Sequence, residues 1–180
     1  MEILRVLKEK AALNGLQFLV IGGHAVNVYG YQRTTGDLDL VVPAEDLGKW
    51  EEILGGLGYK VFHAQKAFAQ FSPPQMTAWP LDLMLVSHET FDKLYSQSEE
   101  HLFRDVIARV PNIKHLIAMK LNALKDARPS RGLKDFDDVL HLCGIAGLSV
   151  DSDEFRRLCT KFATIKVYEE FLRLQKQFCC

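Results

Sequence analysis

Three acidic residues, a lysine and a pair of glycines stand out in this 180-residue chain as groups whose types and spacing could do chemistry. Asp37-Leu38-Asp39 opens the apolar run Leu38 to Val42, which reads as a strand stopped by Pro43. Side chains alternate along a strand, so Asp37 and Asp39 share one face about 7 Å apart while Leu38 and Leu40 face the other way. Two ionised carboxylates that close repel each other unless a cation sits between them. Magnesium suits such a pair, because it takes oxygen ligands and commonly binds one or two carboxylates together with substrate phosphates. Asp82 interrupts the apolar stretch Leu81-Asp82-Leu83-Met84-Leu85-Val86, where a buried carboxylate needs a partner.

Gly22-Gly23 follows the apolar run Phe18 to Ile21 and precedes a helical pattern. Such a turn lets the backbone approach a ligand closely, and the N–H groups that open the helix suit a phosphate. The fourth element lies in Ile113 to Leu124. At about 100° per residue, with Ile113 at zero, Lys120 falls at about 340°, in the middle of the face formed by Leu116, Ile117 and Leu124. A lysine aimed inward is expensive unless it meets an anion. We expect its ammonium to point toward the glycine turn or the acidic cluster, and Lys120→Met to fold normally. Plainer readings stand beside these. A Gly-Gly turn can merely connect, Asp-x-Asp occurs at exposed strand ends, Asp82 can face solvent or bond an arginine, and a lysine can snorkel to water.

Positioning these groups falls to elements the pattern supplies. Residues 3 to 13 read as an amphipathic helix, 18 to 21 as a strand, 24 to 31 as a helix, 38 to 42 as a strand and 44 to 57 as a helix. Strands are expected at 59 to 63, 68 to 72, 81 to 86 and 104 to 110, then helices near 113 to 127, 132 to 143, 152 to 163 and 165 to 178. The expectation is an α+β fold, a mixed sheet domain over residues 1 to 110 with a helical subdomain, 111 to 180, packed on it.

Composition narrows the function classes. With 22 Lys+Arg against 23 Asp+Glu and 48% hydrophobic residues, the chain is neither a histone-like basic binder nor an acidic disordered segment. The charge is unevenly placed: residues 1 to 100 carry 8 basic and 13 acidic side chains, and residues 101 to 180 carry 14 and 10. No apolar run is long enough to span a bilayer, and the N-terminus is not a signal peptide, so a cytoplasmic protein without membrane partners is expected. Cys143, Cys159, Cys179 and Cys180 lack zinc-type spacing and read as free thiols.

Taken in order, Gly22-Gly23, Arg33-Thr34-Thr35-Gly36-Asp37-Leu38-Asp39 and Asp82 on a later strand resemble the nucleotidyltransferase superfamily that includes polymerase beta. The run Gly22 to Arg33, with Lys120 and Lys134-Asp135-Phe136-Asp137-Asp138, is similar to the AbiEii-type toxin nucleotidyltransferases and their short relatives. The resemblance implies a nucleotidyltransferase-like mixed sheet flanked by helices, and transfer of a nucleoside monophosphate from an NTP to an acceptor hydroxyl. It implies two magnesium ions held by Asp37, Asp39 and Asp82, with Asp82 also helping to deprotonate the acceptor. Gly22 and Gly23 would hold the triphosphate by backbone amides and Lys120 would neutralise its charge. Arg33, His24 and Asp135 are further candidates for the nucleotide site: Arg33 to orient phosphates or brace the Asp37 loop, His24 to face the nucleotide or merely open the helix. Asp135 and Asp138 match a late acidic motif, or pair with Arg128, Arg131 or Lys134. Many members carry Gly-Ser where this chain has Gly22-Gly23. The acceptor stays open between RNA, protein and a small molecule such as an aminoglycoside. A toxin setting implies an antitoxin protein as partner, and a degenerate nucleotide- or partner-binding module is the non-enzymatic alternative.

Overall fold

The computed structural model describes residues 2–126 and 129–178, with side chains over 2–125 and 132–175. They form two compact units. The first comprises residues 2–28 and 32–112, the second residues 29–31 and 113–178.

In the first unit, helix α1 (Glu2–Leu13) buries Leu4, Leu7 and Ala11, the helical spacing of its apolar residues. The sheet contains β1 (Leu19–Val20), β2 (Leu38–Pro43), β3 (Lys60–Gln65), β4 (Phe68–Ser72) and β5 (Leu81–Val86), in the order β1-β2-β5-β4-β3. Its central pair, β2 and β5, is parallel, and the other neighbours are antiparallel, so the sheet is mixed. Parallel register sets Asp39 beside Asp82 and Leu40 beside Leu83. Alternation then separates two faces: Leu81, Leu83 and Leu85 are buried, whereas Asp82, Met84 and Val86 are half-buried. Helix α2 (Gly22–Val28) follows β1, and α3 (Leu47–Gly56), led by a short 3-10 turn over Ala44–Asp46, sends Trp50 and Leu54 into the core.

Two elements were not expected from the pattern. Helix α4 (His88–Ser96) is capped by Ser87, whose hydroxyl accepts from Thr90 N at 3.3 Å. Strand β6 (Glu99–Phe103) pairs with β7 (Val106–Val110) in a separate two-stranded hairpin. The strand expected from residue 104 begins two residues later because Arg104 and Asp105 make the hairpin turn, with Arg104 at φ 59°. The helix expected over 24 to 31 starts earlier, at Gly22, and ends at Val28.

The second unit is helical. It contains α5 (Ile113–Ala123), α6 (Pro129–Ile145), α7 (Asp153–Phe162) and α8 (Ile165–Phe178). Its core joins Leu116, Ile117 and Leu121 of α5 to Val139 and Leu142 of α6, Phe155 and Cys159 of α7 and Phe171 of α8. Phe171 meets Phe155 edge-on with ring centroids 5.1 Å apart.

Candidate active site

The sheet brings Asp37, Asp39 and Asp82 together. Each offers one carboxylate oxygen, and the three atoms lie within 4.8 Å of one another on half-buried side chains. Asp37 stands immediately before β2, Asp39 is its second residue, and Asp82 is the second residue of the parallel neighbour β5. Neighbouring strands lie about 4.8 Å apart, so in-register residues on one face are held at ligand-sharing distance by the ladder itself.

Two of the carboxylates have a hydrogen-bonded brace. Thr35 Oγ1 lies 3.0 Å from Asp37 Oδ1 and donates to it. Gln70, opposite Asp82 on β4, donates from Nε2 to Asp82 Oδ2 at 2.7 Å. Gly22 packs against Asp39 so closely that a Cβ there would fall 1.8 Å from Asp39 Oδ2. Its φ of 62° also lies in the left-handed region that glycine adopts freely. A Cβ on Gly23 would meet Thr35 Oγ1 at 2.6 Å and Arg33 Nη1 at 2.9 Å. The paired glycines therefore admit the Asp39 carboxylate on one side and the Arg33 and Thr35 side chains on the other. Thr35 and Gln70 were not singled out from sequence. Thr35 lies inside the Arg33 to Asp39 motif, but the position of Gln70 depends on the β4–β5 register.

His24 is 8% exposed and stacks on Trp79 with ring centroids 4.5 Å apart. Burial pulls its pKa below the ordinary value, against the opposing pull of the Asp37 carboxylate and a bond to the Asp37 backbone. Its Nε2 is buried with no hydrogen-bond partner among the described residues.

Lys120 finds its counter-ions within the helical unit. Its ammonium lies 2.7 Å from Asp135 Oδ1 and 2.8 Å from Asp138 Oδ2. Burial alone would lower its pKa, but the two carboxylates outweigh that and hold it above the ordinary lysine value. The α6 carboxylates thus pair with Lys120, a partner not among the basic residues named from sequence; of those, Arg128 and the Arg131 side chain lie outside the described residues. Because Asp138 is fully buried and Asp135 nearly so, the structure argues against the expectation that Lys120→Met folds normally. That substitution would strand two acids in the core.

No family model matches the sequence, and no curated protein matches it. Solved structures do match. The antibiotic-resistance factor ANT(2'')-Ia in solution aligns with 16% identity over 98% of this chain and 95% of its own, at a TM-score of 0.69. ANT(2'')-Ia in complex with adenylyl-2''-tobramycin aligns with 17% identity over 89% and 95%, at 0.66. The lincosamide antibiotic adenylyltransferase LnuA, lincomycin-bound, aligns with 16% identity over 79% and 95%, at 0.57. A mixed sheet with its acidic triad across the parallel strands, and these alignments across most of the chain, lead to one conclusion: this protein has the nucleotidyltransferase fold.

Proposed function

We propose that the chain transfers a nucleoside monophosphate from a nucleoside triphosphate to a hydroxyl group of a small molecule. The observation that carries this reading is the convergence of three carboxylate oxygens within 4.8 Å. An all-oxygen, anionic donor set fits magnesium and offers nothing to a soft metal. Asp37, Asp39 and Asp82 would hold two such ions, whose chemistry is to stabilise the entering and leaving oxygens of an in-line displacement.

In the transfer, the acceptor oxygen forms a bond to the α-phosphorus, the bond from that phosphorus to the bridging oxygen breaks, and pyrophosphate leaves with the electron pair. Asp82 takes the hydroxyl proton, with Gln70 fixing the carboxylate through Oδ2. Gly22 and Gly23 present backbone N–H groups to the triphosphate, and Arg33 supplies a positive charge beside them.

Support for a small acceptor comes from the fold neighbours, one bound to adenylyl-2''-tobramycin and another to lincomycin. A macromolecular acceptor, with the chain acting as a toxin and an antitoxin as partner, is the second reading. It is favoured by the Lys120–Asp135–Asp138 cluster, formed by the late motif that resembles the AbiEii-type proteins. The test is pyrophosphate release from each of the four NTPs with magnesium, using hydroxylated small molecules and RNA as acceptors in separate reactions. An acceptor gaining the mass of a nucleoside monophosphate identifies the class. Heat stabilisation by NTP without any release would instead mark a binding module.

A further inference from the structure

A cavity of about 500 Å³ opens within the first unit, lined by His24, Asn27, Gln32, Trp79, His101 and Arg104 among others. Its volume lies in the range of small-molecule sites, about 300 to 1,000 Å³. His24 joins it to the acidic triad, since the ring that lines the cavity is bonded to the Asp37 backbone.

The lining chemistry selects a ligand class. Among the described residues, Arg104 is the one lysine, arginine, aspartate or glutamate on the wall. It is exposed, and no salt bridge holds its guanidinium among the described residues. Asn27 and Gln32 are already engaged: Asn27 accepts from Arg33 N at 2.9 Å, and Gln32 donates to Asn27 O at 2.8 Å. His101 leans on Glu99 at 3.5 Å. His24 carries a buried Nε2 with no hydrogen-bond partner among the described residues, and unlike the others on this wall its ring is stacked on Trp79. With its ring bonded to the Asp37 backbone, His24 leaves Nε2 as the ring atom for a ligand hydroxyl to meet. Trp79, stacked on His24, contributes an aromatic side chain to the same wall. A guanidinium for an anion, a buried nitrogen for a hydroxyl and an indole wall for a ring are the recognition elements of a sugar carrying a phosphate monoester. Among the described residues no carboxylate lies on the wall itself, so a polycationic acceptor would meet acids only at the neighbouring triad.

We propose that this cavity seats the acceptor, and that the acceptor class is a sugar phosphate. The acceptor role rests on the nucleotidyl-transfer reading; the binding site does not. Arg104 holds the phosphate, His24 Nε2 hydrogen-bonds a hydroxyl, and the ring lies along Trp79.

The experiment is a fluorescence titration of the full chain with ribose 5-phosphate, without nucleotide or metal. The chain has two tryptophans, and Trp50 is fully buried, so Trp79 carries the signal and Trp79→Phe leaves Trp50 as background; Trp79 and Arg104 also line a second cavity that His24 does not, so His24→Leu assigns the signal to this one. We expect a saturable change, at least tenfold weaker for ribose or inorganic phosphate alone. Arg104→Asn, suited to the left-handed backbone at φ 59°, should weaken binding at least tenfold, and so should His24→Leu. No saturation, equal affinity in Arg104→Asn, or tighter binding of tobramycin than of ribose 5-phosphate would overturn the proposal. A parallel thermal shift with NTP and magnesium separates the two claims. NTP stabilisation without sugar-phosphate binding removes only this site, and sugar-phosphate binding without NTP stabilisation removes the transfer reading and the acceptor role together. When both bind, adding ribose 5-phosphate should raise pyrophosphate release and yield a nucleotidylated sugar; failure to do so overturns the acceptor role.

Discussion

At Gly22 the need for glycine has two separable causes. A side chain there would meet the Asp39 carboxylate at 1.8 Å and would also have to adopt φ 62°. Placing an L-residue in the left-handed region costs roughly 1–2 kcal/mol before any clash is counted. We therefore expect Gly22→Ala to lower stability by at least that much in urea unfolding and to abolish transfer by displacing Asp39. Wild-type activity in that variant would show that Asp39 need not stand where it does. At Lys120 the determining fact is its company. Removing one partner of a buried pair costs about 3–5 kcal/mol, whereas removing all the charges together is often neutral. Lys120→Met should lose stability on that scale, and adding Asp135→Asn and Asp138→Asn should recover most of it. The pairing raises the lysine pKa above 10.5, so its contribution is intact below pH 10.5 and is lost only as the pH climbs through the higher folded value. A Lys120→Met protein as stable as the parent would remove the buried-cluster account.

Among the elements, β2 and β5 were legible because each is a continuous apolar run broken by one or two acids, and their pairing converts that pattern into a shared carboxylate face. Helix α4 was hidden by its mixed composition, its single fully buried residue being Phe91. The signal available was the Ser87 cap. Replacing Ser87 with Ala should cost about 1 kcal/mol, measured as a shift in the urea midpoint. Strand β6 escaped because Glu99, Glu100 and His101 carry little β pattern; its partner β7 supplies the buried Val106, Ala108 and Val110 that hold the hairpin. The Asp37–Asp39–Asp82 convergence was readable from strand alternation and motif order together. The Lys120 partners were not, because helical periodicity aims the lysine inward without saying which helix it meets. The cavity beside His24 was equally hidden, since Trp79 and Arg104 lie in connections whose course no periodicity predicts.

Across the molecule, each unit has its own core, and the thiols illustrate the division. Cys143 and Cys159 are buried within the helical unit, and burial pushes each up to about 12. Neither should react with a thiol reagent at pH 8 until the unit unfolds, and peptide mapping after labelling with and without urea checks this. Labelling of either in the folded protein would contradict that core. The catalytic claim rests on the sheet unit, where the acids converge and glycine gives them room. Its most direct measurement is magnesium-dependent pyrophosphate release from NTP in the parent, Asp37→Asn and Asp39→Asn proteins, with folding verified by circular dichroism. The account predicts release in the parent that stops when magnesium is chelated, and a fall of at least about 100-fold in each folded variant, since removal of one preorganised electrostatic group typically lowers turnover by that order. Turnover at the parental rate in either variant, or undiminished release with the metal removed, would contradict it.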